Sequence, residues 1–366
     1  MATELLPDGT SPEKSINPLF KWLNDRLDLV SIWQLAQKKE VPIHKHSIWY
    51  YMGGITLMFL IVQIITGILL MIYYVPDLNS AHASILKINT RIDFGWFVRS
   101  LHCWAANLMI FVVFLHLFST YFMKAYRKPR EITWLIGMGL LVLVMGFGFT
   151  GYLLPWDQVS LFATKIGLDI TSKVPVLGDQ LATVLRGGSI ISQNTLSRFF
   201  AIHVIILPLL LFGLLGIHLL LIQLQGISTP KSIKVSEVKY EKFFPDFIFK
   251  DLLVWILALN VLFVLVTFLP WGLGEEADPF APAPIGIKPE WYFLAMFQFL
   301  KLIPAYIGPI EGELFGITII GLIVLILGLV PFWDTGASKK LSKLATYFGL
   351  IVLLSMIIFS IWGALS

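Results

Sequence analysis

His102 and His116 are 14 residues apart, and His203 and His218 are 15 apart, each pair lying within one uncharged apolar run. At about 100° per residue, a separation of 14 returns to within about 40° of the same helix face and 15 to within about 60°, over a rise of about 21–23 Å. Each run, as a helix, therefore offers two imidazoles, one toward each end. A single histidine inside a membrane span is ordinarily a hydrogen-bonded packing residue. Four in register on two helices form two facing pairs, His102 with His203 and His116 with His218. Zinc would want further ligands at the same level, and no carboxylate is available there. Two axial imidazoles per iron suit a b-type haem, whose porphyrin supplies the four equatorial nitrogens. Two non-covalent b-type haems are expected.

Such ligands need a scaffold, and the composition says which kind. The 366 residues are 57% hydrophobic and only 14% charged, with a mean hydropathy of +0.80. So few charges could not cover a water-soluble body of this size. Seven apolar runs reach membrane-spanning length: roughly Ile48 to Val75, Ser100 to Phe122, Ile132 to Leu154, Phe199 to Leu224, Leu252 to Trp271, Leu314 to Trp333 and Ala345 to Leu365. Each is about 20 residues or more, enough for a helix to cross about 30 Å. The expected fold is an all-α integral membrane protein with seven transmembrane helices, a four-helix haem-binding bundle followed by three more.

With the N-terminus inside, 18 of the 27 Lys and Arg fall on the inner side, which sets the N-terminus inside and the C-terminus outside. The second and fourth runs then cross in the same direction, and the histidines pair by depth. The net charge of +4 resides in short loops and gives no case for nucleic acid. Residues Pro18 to Gln37 mix apolar and charged positions and read as an interfacial amphipathic helix, the alternative being an unstructured arm. Three units follow: 1–47 as the N-terminal interfacial segment, 48–225 as the four-span dihaem part, and 226–366 as the three-span part. Two outer loops, Pro155 to Arg198 and Gly272 to Glu313, exceed what connection requires.

Gly53 and Gly67 in the first run and Gly137 and Gly151 in the third repeat the 14-residue separation, so they admit a porphyrin edge between helices. Arg99, three residues before His102, reads either as a partner for haem propionates or as a membrane-interface anchor. The lone cysteine, Cys103, excludes a cysteine-ligated zinc or iron–sulfur site within the chain and reads as a small packing residue.

With Gly151-Tyr152-Leu153-Leu154-Pro155-Trp156-Asp157-Gln158 after the third run and Pro289-Glu290-Trp291-Tyr292 in the second long outer loop, nearly the whole chain resembles cytochrome b of the quinol-oxidising bc-type complexes. The 15-residue His203–His218 separation and the three-span C-terminal part look more like the cytochrome b6f type, with cytochrome b6 and subunit IV fused. The resemblance implies an outer quinol site and an inner quinone site. One quinol electron would go to a Rieske iron–sulfur protein and the other through the two haems, with protons released outside. It also implies a c-type cytochrome subunit, a homodimeric complex and a bacterial cytoplasmic membrane. In that scheme Glu290 accepts a quinol proton or hydrogen bond, Trp291 and Tyr292 wall the pocket beside Pro289, and Tyr152 faces them. Taken alone, Glu290 would read as a solvated loop acid. Short apolar stretches at Gln158 to Ile166 and Phe293 to Ile303 read as interfacial helices capping that pocket. The acids Glu275, Glu276 and Asp278 either orient a cationic partner or are simply solvated.

The b6f type carries a third haem on a cysteine at the start of its first span. Tyr51 stands there, so a third covalent haem is not expected. Gln223 and Leu224 replace the basic residues that follow the fourth-span histidine in that type. Asp28, Glu40, His44 and His46 are the candidate inner-side proton donors. A hydrogenase-type cytochrome b would lack the Pro289 to Tyr292 motif. A transporter should carry coupling charges within its spans, and a retinal protein a buried lysine; no run holds either.

Overall fold

The computed structural model describes residues 17–284 and 286–366. Six of its helices are long and apolar enough to cross a membrane: Ser47–Met71, Gly95–Phe122, Glu131–Leu153, Gln193–Gln225, Phe243–Phe268 and Lys339–Leu365. They are helical because hydrocarbon offers no partner for a free N–H or C=O, so each segment must satisfy its own backbone. The remaining predicted span, Leu314 to Trp333, is a shorter apolar helix, Gly312–Gly328, followed by a separate turn at Val330–Trp333. Pro331 sits at the start of that turn, where its missing N–H costs nothing. Seventeen residues is the lower end of spanning length.

The first and second spans pack along each other, as do the third and fourth, and the fifth lies against the first two. Their shared core gathers Ile55, Met58, Phe59, Met109, Ile110 and Val144. Leu209, Leu210, Phe212, Leu219 and Leu220 on the fourth span are exposed, as lipid-facing residues are. Polar clamps hold the N- and C-terminal parts together at the end of the bundle that carries the strand Glu40–Ile43, labelled inner from here on, the opposite end being labelled outer. Strand Glu40–Ile43 pairs antiparallel with Lys239–Lys242, placing Glu40 opposite Lys242. Asp334, with 0% exposure, accepts from Tyr126 (2.5 Å) and Arg127 (2.7 Å), and Lys124 lies 3.5 Å away.

The N-terminal segment is two helices rather than one, Pro18–Leu27 and Leu29–Lys38, broken where Asp28 takes a left-handed φ of 48°. On the outer side, Ala81–Arg91 and Gly178–Arg186 are helices that apolar periodicity alone does not reveal. The two expected caps are Gln158–Ser172 and Trp291–Lys301. The long loops join: Gln158 N–H donates to Glu275 O (2.9 Å) and Ala277 N–H to Trp156 O (3.3 Å).

Candidate haem and quinol sites

His102 and His203 face each other with ring centroids 6.5 Å apart and planes at 69°. Two imidazoles binding one metal from opposite sides, with bonds of about 2.0–2.1 Å, would place their centroids about 6.3 Å apart. The pair thus fits an iron held axially. Among the described residues no group of three or more His, Cys, Asp or Glu could hold a metal ion, so a metal at this pair would need further donors from outside the chain. A cleft of about 430 Å³ surrounds the pair, lined also by Gly67, Gly151, Arg99 and Cys103.

Each of the four glycines lies against one histidine of the neighbouring helix. A Cβ on Gly67 would lie 3.3 Å from His102 Cε1, and one on Gly151 2.7 Å from His203 Cε1. On the inner side the matching distances are 3.4 Å for Gly53 to His116 and 3.4 Å for Gly137 to His218. A side chain at any of the four would press on an imidazole, a constraint that stands beside the expected room for a porphyrin edge. The Nδ1 atoms of His116 and His218 are buried without a hydrogen-bond partner, and His218 lies near the Thr133 backbone without reaching hydrogen-bond geometry.

The unequal sequence separations are reconciled by the backbone. Ile202–Ile206 forms a π turn in which Leu207 N–H reaches back five residues to Ile202 O, immediately before Pro208, which has no N–H to give. A π turn takes up one extra residue. The 15-residue step from His203 to His218 thus covers about the rotation of the 14-residue step from His102 to His116.

Arg99, 5% exposed, donates from Nη1 to Trp271 O (3.0 Å) and from Nη2 to Gly272 O (2.8 Å). It anchors the end of the fifth span while its guanidinium lines the outer cleft.

A second cavity, of about 300 Å³, lies beneath the two outer capping helices, lined by Phe149, Tyr152, Pro289, Glu290, Phe293 and Met296 among others. Glu290 precedes the first turn of Trp291–Lys301 and is half-buried, and burial raises its carboxyl above the usual range. Tyr152 and Glu290 are the only residues lining both cavities among those described. The rest of the tetrapeptide divides. Tyr292 faces the outer histidine cleft, its Oη 3.0 Å from where a Cβ on Gly148 would stand, and Trp291 lines neither cavity. The helix begins at Trp291, so consecutive residues turn by about 100° and cannot share one wall. Trp291 instead donates from Nε1 to Asn107 Oδ1 (2.7 Å), and Asn107 donates to Cys103 O (2.9 Å). Phe149, Phe293 and Asn107 escape the sequence reading, although Asn107 is a visible polar intruder in an apolar run.

The inner candidates are scattered. His44 accepts from His46 N–H at Nδ1 (3.1 Å), which makes Nε2 the donor toward Tyr50 Oη (2.6 Å), and Tyr50 donates onward to Ser228 O (2.8 Å). Burial and then the nearby His46 hold His44 below the usual histidine range. Glu40 belongs to the two-stranded sheet and Asp28 to the helix break. Tyr51 stacks on Phe247 with centroids 5.1 Å apart, and Gln223 accepts from Lys39 (2.5 Å). A further acid emerges because the fifth span starts earlier than the apolar run suggests. Asp251 lies inside it, its Oδ1 buried without a partner and its carboxylate where a side chain on Gly54 would otherwise be.

Comparisons with known proteins identify the family. The family model described as cytochrome b/b6/petB matches residues 37–226, and that described as cytochrome b(C-terminal)/b6/petD matches residues 276–366. The chain is 45% identical over 341 residues to the cytochrome bc complex cytochrome b subunit of Chlorobaculum thiosulfatiphilum, covering 92% of this chain and 78% of that protein. It is 43% identical over 222 residues to the menaquinol:cytochrome c reductase cytochrome b subunit of Geobacillus thermodenitrificans, covering 59% of this chain and 99% of that protein. A solved chain from a hyperthermophilic respiratory Complex III superposes with a TM-score of 0.77 at 27% identity, over 94% of this chain and 98% of that one. The chain belongs to the cytochrome b/b6 family, with its b6-type and C-terminal parts joined in a single polypeptide.

Proposed function

We propose that this chain is the dihaem cytochrome b subunit of a bc-type, b6f-like complex and the core of a quinol:cytochrome c, or plastocyanin-type acceptor, oxidoreductase. Bound between the facing imidazoles, two b-type haems would supply one-electron carriers near the two membrane faces. The chain receives quinol in the outer cavity, sends one electron inward to a quinone and releases the other to a Rieske iron–sulfur protein, with protons leaving outside. The observation that carries this reading is the shared wall: Glu290 and Tyr152 border both the quinol-sized cavity and the cleft of His102 and His203. A carboxyl so placed can take a proton from a quinol hydroxyl, and its burial raises its affinity for that proton. Phe149 and Phe293 hold an apolar ring and exclude water, and Arg99 and Trp291 fix the elements on either side.

On the inner side, Asp251 is the carboxyl best placed to protonate a reduced quinone, because Gly54 packs it one residue from the Gly53–His116 contact. The division into 48–225 and 226–366 is supported by the end of the first family match at residue 226. A Rieske protein, a c-type cytochrome subunit, a homodimeric complex and a bacterial cytoplasmic membrane with the N-terminus inside complete the proposal. The test is quinol:cytochrome c reductase activity of the purified complex. Glu290→Gln is expected to lower turnover at least tenfold with haem content intact, about 1.4 kcal/mol of transition-state stabilisation. Unchanged turnover would remove Glu290 from the reaction.

A further inference from the structure

The two histidine pairs differ in what meets their Nδ1 atoms. At the outer pair, Thr66 Oγ1 lies 2.9 Å from His102 Nδ1 and Thr150 Oγ1 lies 2.9 Å from His203 Nδ1. Each hydroxyl already donates its hydrogen one helical turn back, Thr66 to Val62 O (2.6 Å) and Thr150 to Gly146 O (2.8 Å). A hydroxyl whose only hydrogen is spent can only accept from the imidazole. With the hydroxyls so engaged, each outer ring carries its hydrogen on Nδ1 and leaves Nε2 free for a metal, the tautomer that satisfies every group in the contact. Each threonine immediately precedes the glycine that packs on the same ring, Thr66 before Gly67 and Thr150 before Gly151. The positions 14 residues earlier, beside Gly53 and Gly137, hold Met52 and Ile136, which offer no hydroxyl. His116 and His218 accordingly have no partner at Nδ1.

We propose that Thr66 and Thr150 are positioning residues for the outer haem ligands, each fixing the tautomer and ring plane of its histidine and shifting the reduction potential of that iron alone. The inference rests on the dihaem reading above. A ligating histidine that donates its second N–H becomes a more basic ligand, and a more basic ligand pair favours the ferric state. A neutral hydroxyl gives a weaker version of the effect that a carboxylate partner would.

The test uses the purified complex. A pyridine-haemochrome assay first confirms two b haems, so that failure of the dihaem reading is recognised separately. Potentiometric titration of each haem then accompanies the low-spin ferric electron paramagnetic resonance spectrum, which reports the angle between imidazole planes. Thr66→Val and Thr150→Val should each move the outer couple toward easier reduction by roughly threefold to tenfold in its equilibrium constant, a tenfold change being about 59 mV for one electron. The outer spectrum should shift while the inner couple stays fixed. Thr66→Ser and Thr150→Ser should restore both readouts. Ile136→Thr should move the inner couple the opposite way. Should a valine variant lose the outer haem, retention in the matching serine variant supports the proposal and loss in both overturns it. Two haems with unmoved outer potential and spectrum, or equal shifts at both haems, would also overturn it.

Discussion

Gly151 stands so close to His203 that a Cβ on it would lie 2.7 Å from the imidazole Cε1, while Gly213 and Gly216 on the fourth span face open space. The first contact cannot absorb a side chain without moving a histidine that is already tied to Thr150. Gly151→Val is therefore expected to remove the outer b haem and leave the inner one. Gly213→Ala, on the same helix as His203, should retain both. Haem quantification of the purified variants checks the pair; equal haem content in the two would show that the glycine does not set this ligand.

Glu290 supplies a pH signature. Burial raises its carboxyl above the usual range, so the group is protonated over more of the acidic side than an exposed glutamate. A proton acceptor must be ionised, and turnover should fall as pH drops through that raised value. Glu290→Gln should abolish this acidic limb, whereas a limb of unchanged position in the variant would assign it to another group.

Asp334 should govern cohesion of the N- and C-terminal parts. Burial pushes its carboxyl up, but the hydrogen bonds from Tyr126 and Arg127, with the Arg127 and Lys124 charges, outweigh burial and hold it below the usual carboxylate range. A depressed folded value means that the stabilisation is present above the unfolded carboxylate range and is lost as pH falls through the folded one. Asp334→Ala strands the Arg127 guanidinium and should cost about 3–5 kcal/mol. Thermal unfolding of the complex at neutral pH should show a clear drop in Tm, and an unchanged Tm would make the clamp incidental.

Asn107 ties the second span to Trp291 through a 2.7 Å hydrogen bond. Asn107→Leu leaves the indole N–H unpaired, which costs about 1–3 kcal/mol. The expected result is weaker or slower quinol oxidation with both haems present. Steady-state kinetics that match the unsubstituted complex would separate Trp291 from the pocket.

Asp251 tests the inner site. Asp251→Asn should slow reoxidation of the inner haem by added quinone while leaving its reduction by quinol intact, measured by flash or stopped-flow absorbance. Reoxidation at the original rate would return the role to the His44–Tyr50 chain.

The pairing of the four histidines across two helices was legible in the sequence because an imidazole in an uncharged run is conspicuous and a repeated spacing has few causes; the structure brings His102 and His203 face to face. The four glycines stood out for the same reason, although only the packed helices reveal that each meets an imidazole of the neighbouring helix. The π turn before Pro208 could not be read, since it depends on which carbonyl Leu207 reaches. Thr66 and Thr150 were invisible because a threonine usually bonds its own helix, as both do, and the contact across to the next helix has no sequence signal. Asp251 was missed through placement of a boundary: the apolar run begins at Leu252, but the helix begins upstream, so the acid enters the membrane-spanning segment. Trp291 and Tyr292 were both expected to wall the quinol pocket, and helical rotation turns Tyr292 to the histidine cleft and Trp291 to Asn107.

The most direct test of the central claim is a pyridine-haemochrome spectrum with a redox titration on the purified protein, alongside His203→Ala and His218→Ala. Two b-type haems per chain with separate potentials are expected, and each substitution should remove one of them, the outer with His203 and the inner with His218. One haem or none in the unsubstituted chain, or two in either variant, would contradict the pairing of His102 with His203 and of His116 with His218.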